Sequence, residues 1–65
     1  MKKKIKNFLL QFDDFKKLSN QGQTNVLEKT LEEWNECKSN YSDIEKYFSD
    51  LVENSGLEGL MEYQK

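Results

Sequence analysis

Residues 5–18 read IKNFLLQFDDFKKL, and the spacing of their apolar side chains constrains the fold more than any other feature of the chain. Ile5, Phe8, Leu9, Phe12, Phe15 and Leu18 recur at steps of three and four, which brings them to one face of an α-helix. At ~100° per residue the six span roughly 180°, whereas a helix with a single neighbour needs a stripe of only ~100°. One helix over 3–18 is therefore expected, touching two neighbours, or one neighbour and another subunit. Leu10 flanks the stripe, and Asp13, Asp14, Lys16 and Lys17 fall mostly on the wet face. The two lysines suit the negative end of a helix dipole.

Two further helical patterns follow. Ser19 to Gln23 reads as a stop, with Asn20 or Gly22 free to take the left-handed conformation that ends helices. A second helix is expected over 25–38, opened by the capping-box spacing of Asn25 and Glu28 and striped by Val26, Leu27, Thr30, Leu31, Trp34 and Cys37. Its other face carries Glu28, Glu32 and Glu36, whose mutual repulsion Lys29 can relieve by pairing with Glu32 or Glu33. Ser42 and Glu45 form the clearest capping box, before a third helix over 43–54 with Ile44, Tyr47, Phe48, Leu51 and Val52 on one face. A short C-terminal helix over 57–63 is suggested by Leu57, Leu60 and Met61, with Ser55 and Glu58 repeating the capping spacing and Gly59 weakening it. No window alternates apolar and polar residues as a strand would. The expected fold is all-α, a single domain built as a small bundle of three amphipathic helices plus that short fourth one. Leu27, Leu31, Trp34, Phe48 and Leu51 are the expected core.

A chain of 65 residues buries only ~60% of its unfolded surface, so it needs help from a staple or a partner. One cysteine, Cys37, closes no internal disulfide, and without histidine there is no zinc set. Oligomerisation or folding onto a partner is what remains, and the stripe is expected to offer more apolar surface than one copy hides. A self-sufficient monomer is the competing outcome.

Composition narrows the chemistry. With no histidine, acid–base catalysis at neutral pH lacks its usual group. Cys37 lies on an apolar stripe beside Glu33 and Glu36, which is a setting for an inert thiol. The glycines fit no phosphate loop, and neither Asp13-Asp14 nor the Glu32-Glu33-Glu36 group has cation-loop spacing. An enzyme is not expected, nor a cofactor or metal. All ten cations are lysine, and the absence of arginine weighs against sequence-specific DNA reading. The lone cysteine and high lysine content suit a reducing cytoplasm, and the lysine bias suits an AT-rich source such as a low-GC bacterial host or its phage. The opening MKKKIKNFLLQF imitates a signal peptide, but its apolar run is broken by Gln11 and Asp13.

Charge is distributed unevenly. Residues 1–18 hold six lysines and two aspartates, whereas residues 19–62 hold three lysines and ten acids. Such asymmetry can present an acidic face to a basic partner, pair head to body between copies, or bind phosphates through Lys2, Lys3, Lys4 and Lys6. Membrane attachment by a lysine-rich amphipathic first helix is opposed by Asp13 and Asp14.

In style, though through no defined motif, this tiny lysine-only helical chain resembles small proteins of phages and mobile elements, which often inhibit or redirect a host protein. The expected function is a non-enzymatic interaction protein. It would dock an apolar helical face, with Phe8, Phe12, Phe15 and Leu10 as candidate contacts, on a protein partner or another copy. The alternative is nucleic-acid or nucleotide binding by an oligomer through the basic N-terminus.

Overall fold

A bend at residues 10–12 decides how the rest of the chain packs. The structure is a computed structural model that describes residues 2–54 and 56–64. Helix α1, Lys2–Leu9, tightens at its end. The Gln11 and Phe12 N–H groups donate to the Phe8 and Leu9 carbonyls at 3.2 and 3.1 Å, three residues back rather than four. Phe12 then leaves in extended backbone (φ −107°, ψ 128°), and helix α2, Asp13–Lys16, begins. Asp13 and Asp14 fill its first turn, where the helix dipole favours carboxylates. The single helix expected over 3–18 is thus two short ones. The bend divides a stripe too wide for one neighbour. Ile5, Leu9 and Phe15 turn wholly inward, at 0% exposure, while Phe12 stays at the rim, half-buried.

Helix α3, Asn20–Cys37, starts earlier than expected. Ser19 is its N-cap, accepting a hydrogen bond from the Gly22 N–H at 3.1 Å. Asn25 therefore lies inside the helix and caps nothing, and neither Asn20 nor Gly22 ends the preceding one. Gly22 has a packing reason instead, since a Cβ there would stand 3.3 Å from Ser19 Oγ and 3.4 Å from the Cβ atoms of Leu18 and Gln64. The Gln23 side-chain amide donates to the Phe15 carbonyl at 3.2 Å, adding to the bond that this carbonyl accepts from the Leu18 N–H at 3.1 Å at the end of α2. The Thr30 hydroxyl, fully buried, donates to the Val26 carbonyl at 2.8 Å.

A 3₁₀ turn, Lys38–Asn40, follows α3. Helix α4, Ile44–Glu53, is capped by Asp43, whose Oδ1 accepts from the Lys46 N–H at 3.0 Å. Ser42, the expected cap, is one residue too early for that geometry. Val52, expected on the buried face of α4, is 54% exposed. Helix α5, Gly56–Met61, and a 3₁₀ turn, Glu62–Gln64, make the C-terminal segment. The expected capping role of Ser55 lies outside the described residues.

The C-terminal segment docks on its own chain. Leu60 enters the core. The Asn25 side-chain amide donates to the Gln64 carbonyl at 3.1 Å, and the Lys29 ammonium lies 4.6 Å from the centroid of the Tyr63 ring. Lys29 also pairs with Glu32 at 3.6 Å and Glu33 at 3.3 Å, so it relieves the acidic face of α3 as expected. The fold is a small all-α bundle, with no strand among the described residues. Its core joins Ile5, Phe8, Leu9, Phe15, Val26, Leu27, Trp34, Ile44, Tyr47 and Leu60. Of the expected core, Leu27 and Trp34 are buried, and Leu31, Phe48 and Leu51 pack half-buried against it. The radius of gyration is 11.0 Å, close to the ~11 Å of a compact chain this long.

Candidate functional site

Burial redistributes the residues expected to meet a partner. Phe8 is 8% exposed and Phe15 is 0%, so both belong to the core and not to an outer face. Of the candidate contacts Phe8, Phe12, Phe15 and Leu10, the structure thus places Phe8 and Phe15 in the core and keeps Phe12 and Leu10 at the surface. The cause is the bend, which folds the second half of the stripe back onto α3. Leu10 keeps 38% of its surface but lines none of the hollows of the surface described below. Phe8 and Phe15 border hollows only from the core, whereas half-buried Phe12 opens onto one.

That hollow has a volume of about 400 Å³ and is lined by Phe12, Asp13, Asp14, Leu57, Glu58 and Met61. Its position follows from the local structure. The extended backbone of Phe12 at the bend holds the ring at the surface, α2 aims Asp13 and Asp14 beside it, and α5 brings Leu57, Glu58 and Met61 from the other side. Three apolar side chains make the floor and three carboxylates make the rim. Asp13 already meets Lys16 at 3.6 Å, whereas Asp14 and Glu58 form no ion pair among the described residues.

The apolar surface continues past Phe12. Its ring meets the edge of Phe8 at 5.1 Å between centroids, and Phe8 stacks on Phe48 at 4.1 Å. Phe8, Phe48, Ser49, Val52 and Glu53 line a second, shallower hollow of about 270 Å³. The exposed Val52 belongs to this surface, and Glu53 adds a further acid to its edge. A row of three rings thus links two hollows whose only charged lining residues are acidic. No lysine lines either one.

The basic residues gather elsewhere. Lys2, Lys3 and Lys6 line a hollow of about 500 Å³ with Thr24 and Leu27, between α1 and α3. Lys6 also borders a smaller one with Phe15, Asn20, Gln23, Thr24 and Leu27. Lys4 lines neither, so the expected quartet is divided by the turn of the helix.

The titratable groups of the interior serve packing. Burial pushes the Cys37 thiol up, and the nearby Glu33 carboxylate raises it further, which is the opposite of activation. The Tyr41 hydroxyl donates to Asp50 Oδ2 at 2.6 Å, and that hydrogen bond pushes its pKa up to about 12. Tyr47 is raised mainly by burial. With Trp34 these rings form a cluster, at centroid separations of 5.4 Å for Trp34–Tyr47 and 5.5 Å for Tyr41–Tyr47, that fastens α4 to α3. Among the described residues no three His, Cys, Asp or Glu side chains are grouped so as to hold a metal ion, and no helix is long and apolar enough to cross a membrane.

Sequence reasoning missed Leu57, Met61 and Val52 as surface contributors. The signal available for the first two was that six residues of helix with an internal glycine cannot stand alone and must leave one side open where they dock. No family model, curated protein or solved structure matches the chain.

Proposed function

We propose that this chain is a small, non-enzymatic protein-binding module that docks a partner on the surface formed by Phe12, Leu57 and Met61. The observation that carries the reading is the apolar hollow of about 400 Å³ between α2 and α5, extended by the Phe12–Phe8–Phe48 row. Contiguous exposed apolar surface rimmed by polar groups marks interaction sites in small soluble proteins. Methionine suits such a surface because its flexible thioether adapts to different shapes. The module would act by occupying a surface of a host protein, inhibiting or redirecting it. Its lysine-only, histidine-free composition supports a phage or mobile-element origin and a bacterial cytoplasm as the place of action.

The test is capture from nuclease-treated host lysate at high salt, with wild type compared to the Leu57→Asp/Met61→Asp double variant. Both positions are half-buried in the floor of the hollow and outside the buried core, so circular dichroism is read beside capture to establish that the variant stays helical. A protein captured by wild type and lost with the variant supports the reading. Capture that survives the double variant overturns it.

A second reading has its own observation. Lys2, Lys3 and Lys6 converge on one hollow beside the Thr24 hydroxyl, a setting that suits phosphate oxygens. Binding that vanishes with nuclease, falls steeply with salt and is lost in a Lys2→Gln/Lys3→Gln/Lys6→Gln variant would favour nucleic acid instead.

A further inference from the structure

Resting on the docking reading above, we propose that the occupant of the Phe12–Leu57–Met61 hollow is a lysine-bearing amphipathic helix of a foreign protein. Two features select that chemistry. The floor is apolar and made by Phe12, Leu57 and Met61, which asks for an apolar ridge. The rim is acidic, and two of its three carboxylates, Asp14 and Glu58, have no cationic partner among the described residues. Glu53 repeats the same sign at the far hollow, beyond Phe8 and Phe48. A helix with apolar residues at i, i+3, i+4 and i+7 and lysines flanking them meets both demands at once, and like-charged helices are repelled.

Other occupants fit less well. A second copy of this chain can offer the lysines of α1 but not the ridge, because Ile5, Phe8 and Leu9 of that helix are already buried in their own core. Only Leu10 remains there as a single exposed apolar knob. A phosphate-bearing ligand is disfavoured by the rim itself. An extended strand has no sheet edge to join among the described residues.

The experiment titrates the full chain with two synthetic amphipathic helices of about 14 residues, one leucine–lysine and the other the same sequence with glutamate in place of lysine. Affinities are read by fluorescence of a label on the peptide, at low salt and at high salt. Two exposed pairs of ordinary strength give the lysine peptide about a fivefold to tenfold advantage at low salt, shrinking when the Debye length falls to ~3 Å at 1 M salt. Asp14→Lys/Glu58→Lys reverses the preference, and Leu57→Asp abolishes binding of either peptide. Equal binding of both peptides, still sensitive to Leu57→Asp, overturns the charge selection while leaving the docking surface intact. Lysine-peptide binding that ignores Leu57→Asp overturns the inference and the docking reading together, whereas no binding of either peptide overturns the helical occupant and leaves the docking reading to the lysate capture. Light scattering of the chain alone provides the last arm. Dimers that dissolve in Asp14→Lys/Glu58→Lys give the hollow to a second copy and overturn the foreign helix.

Discussion

Phe12 and Phe15 sit three residues apart on the same apparent stripe, yet the structure assigns them different work, and truncating each in turn separates the two roles. Phe15 is fully buried within a helix of four residues, touching the core from the far side of the bend. Removing a fully buried phenylalanine side chain costs about 3–5 kcal/mol. A domain of this length has a total stability of roughly 3–10 kcal/mol, so Phe15→Ala is expected to be largely unfolded or close to it. Phe12 is half-buried, and its main aromatic contact is the edge of Phe8 at 5.1 Å. Losing part of its burial and that one aromatic pair costs about 1–2 kcal/mol. Urea titration followed by far-ultraviolet circular dichroism measures both, and capture of the partner or of the lysine peptide measures function. Phe12→Ala should remain folded and lose binding, whereas Phe15→Ala should lose its transition. Equal costs at the two positions, or a Phe15→Ala protein within ~1 kcal/mol of wild type, would refute the bend and with it the division of the stripe.

Gly59 has open space where a Cβ would stand, so Gly59→Ala should stabilise α5 by about 0.5–1 kcal/mol and raise the melting midpoint by a few degrees. Asp43→Ala should cost ~1 kcal/mol because it removes the N-cap of α4, while Ser42→Ala should change the urea midpoint little. Tyr41 is neutral in the folded chain up to a pKa of about 12, above the ~10 of an unfolded tyrosine, so its contribution is intact below pH ~10 and lost as pH rises toward 12. Stability measured across that alkaline window should fall in wild type and fall less in Tyr41→Phe, which has no phenol to ionise.

How much of this was legible in the residues differs from element to element. Steps of three and four in residues 5–18 and 26–37 report helix reliably, because side-chain periodicity is a local property of the backbone. They do not report that the first helix bends, because Phe12 stays in phase with the stripe while its backbone is extended. The Asp13-Asp14 pair was a start signal available in the sequence, masked by its equally good fit to a solvated helix face. Two rival caps illustrate the same limit. Asn25 and Ser42 have the right spacing to Glu28 and Glu45, but Ser19 and Asp43 take the roles, accepting from the Gly22 and Lys46 N–H groups three residues on. The docking hollow was legible only in part. Phe12 and the acids of α2 stand together in sequence, whereas Leu57, Glu58 and Met61 join them through tertiary contact that no local pattern encodes.

Mapping amide chemical-shift changes by nuclear magnetic resonance, as the lysine-bearing helix or the captured partner is added to the isotope-labelled chain, tests the docking surface most directly. Changes should concentrate at Phe12, Asp13 and Asp14 and at Leu57, Glu58 and Met61, extending to Phe48 and Val52 for a longer ligand. Changes confined to Lys2, Lys3, Lys6 and Thr24, with residues 57–61 unmoved, would contradict it.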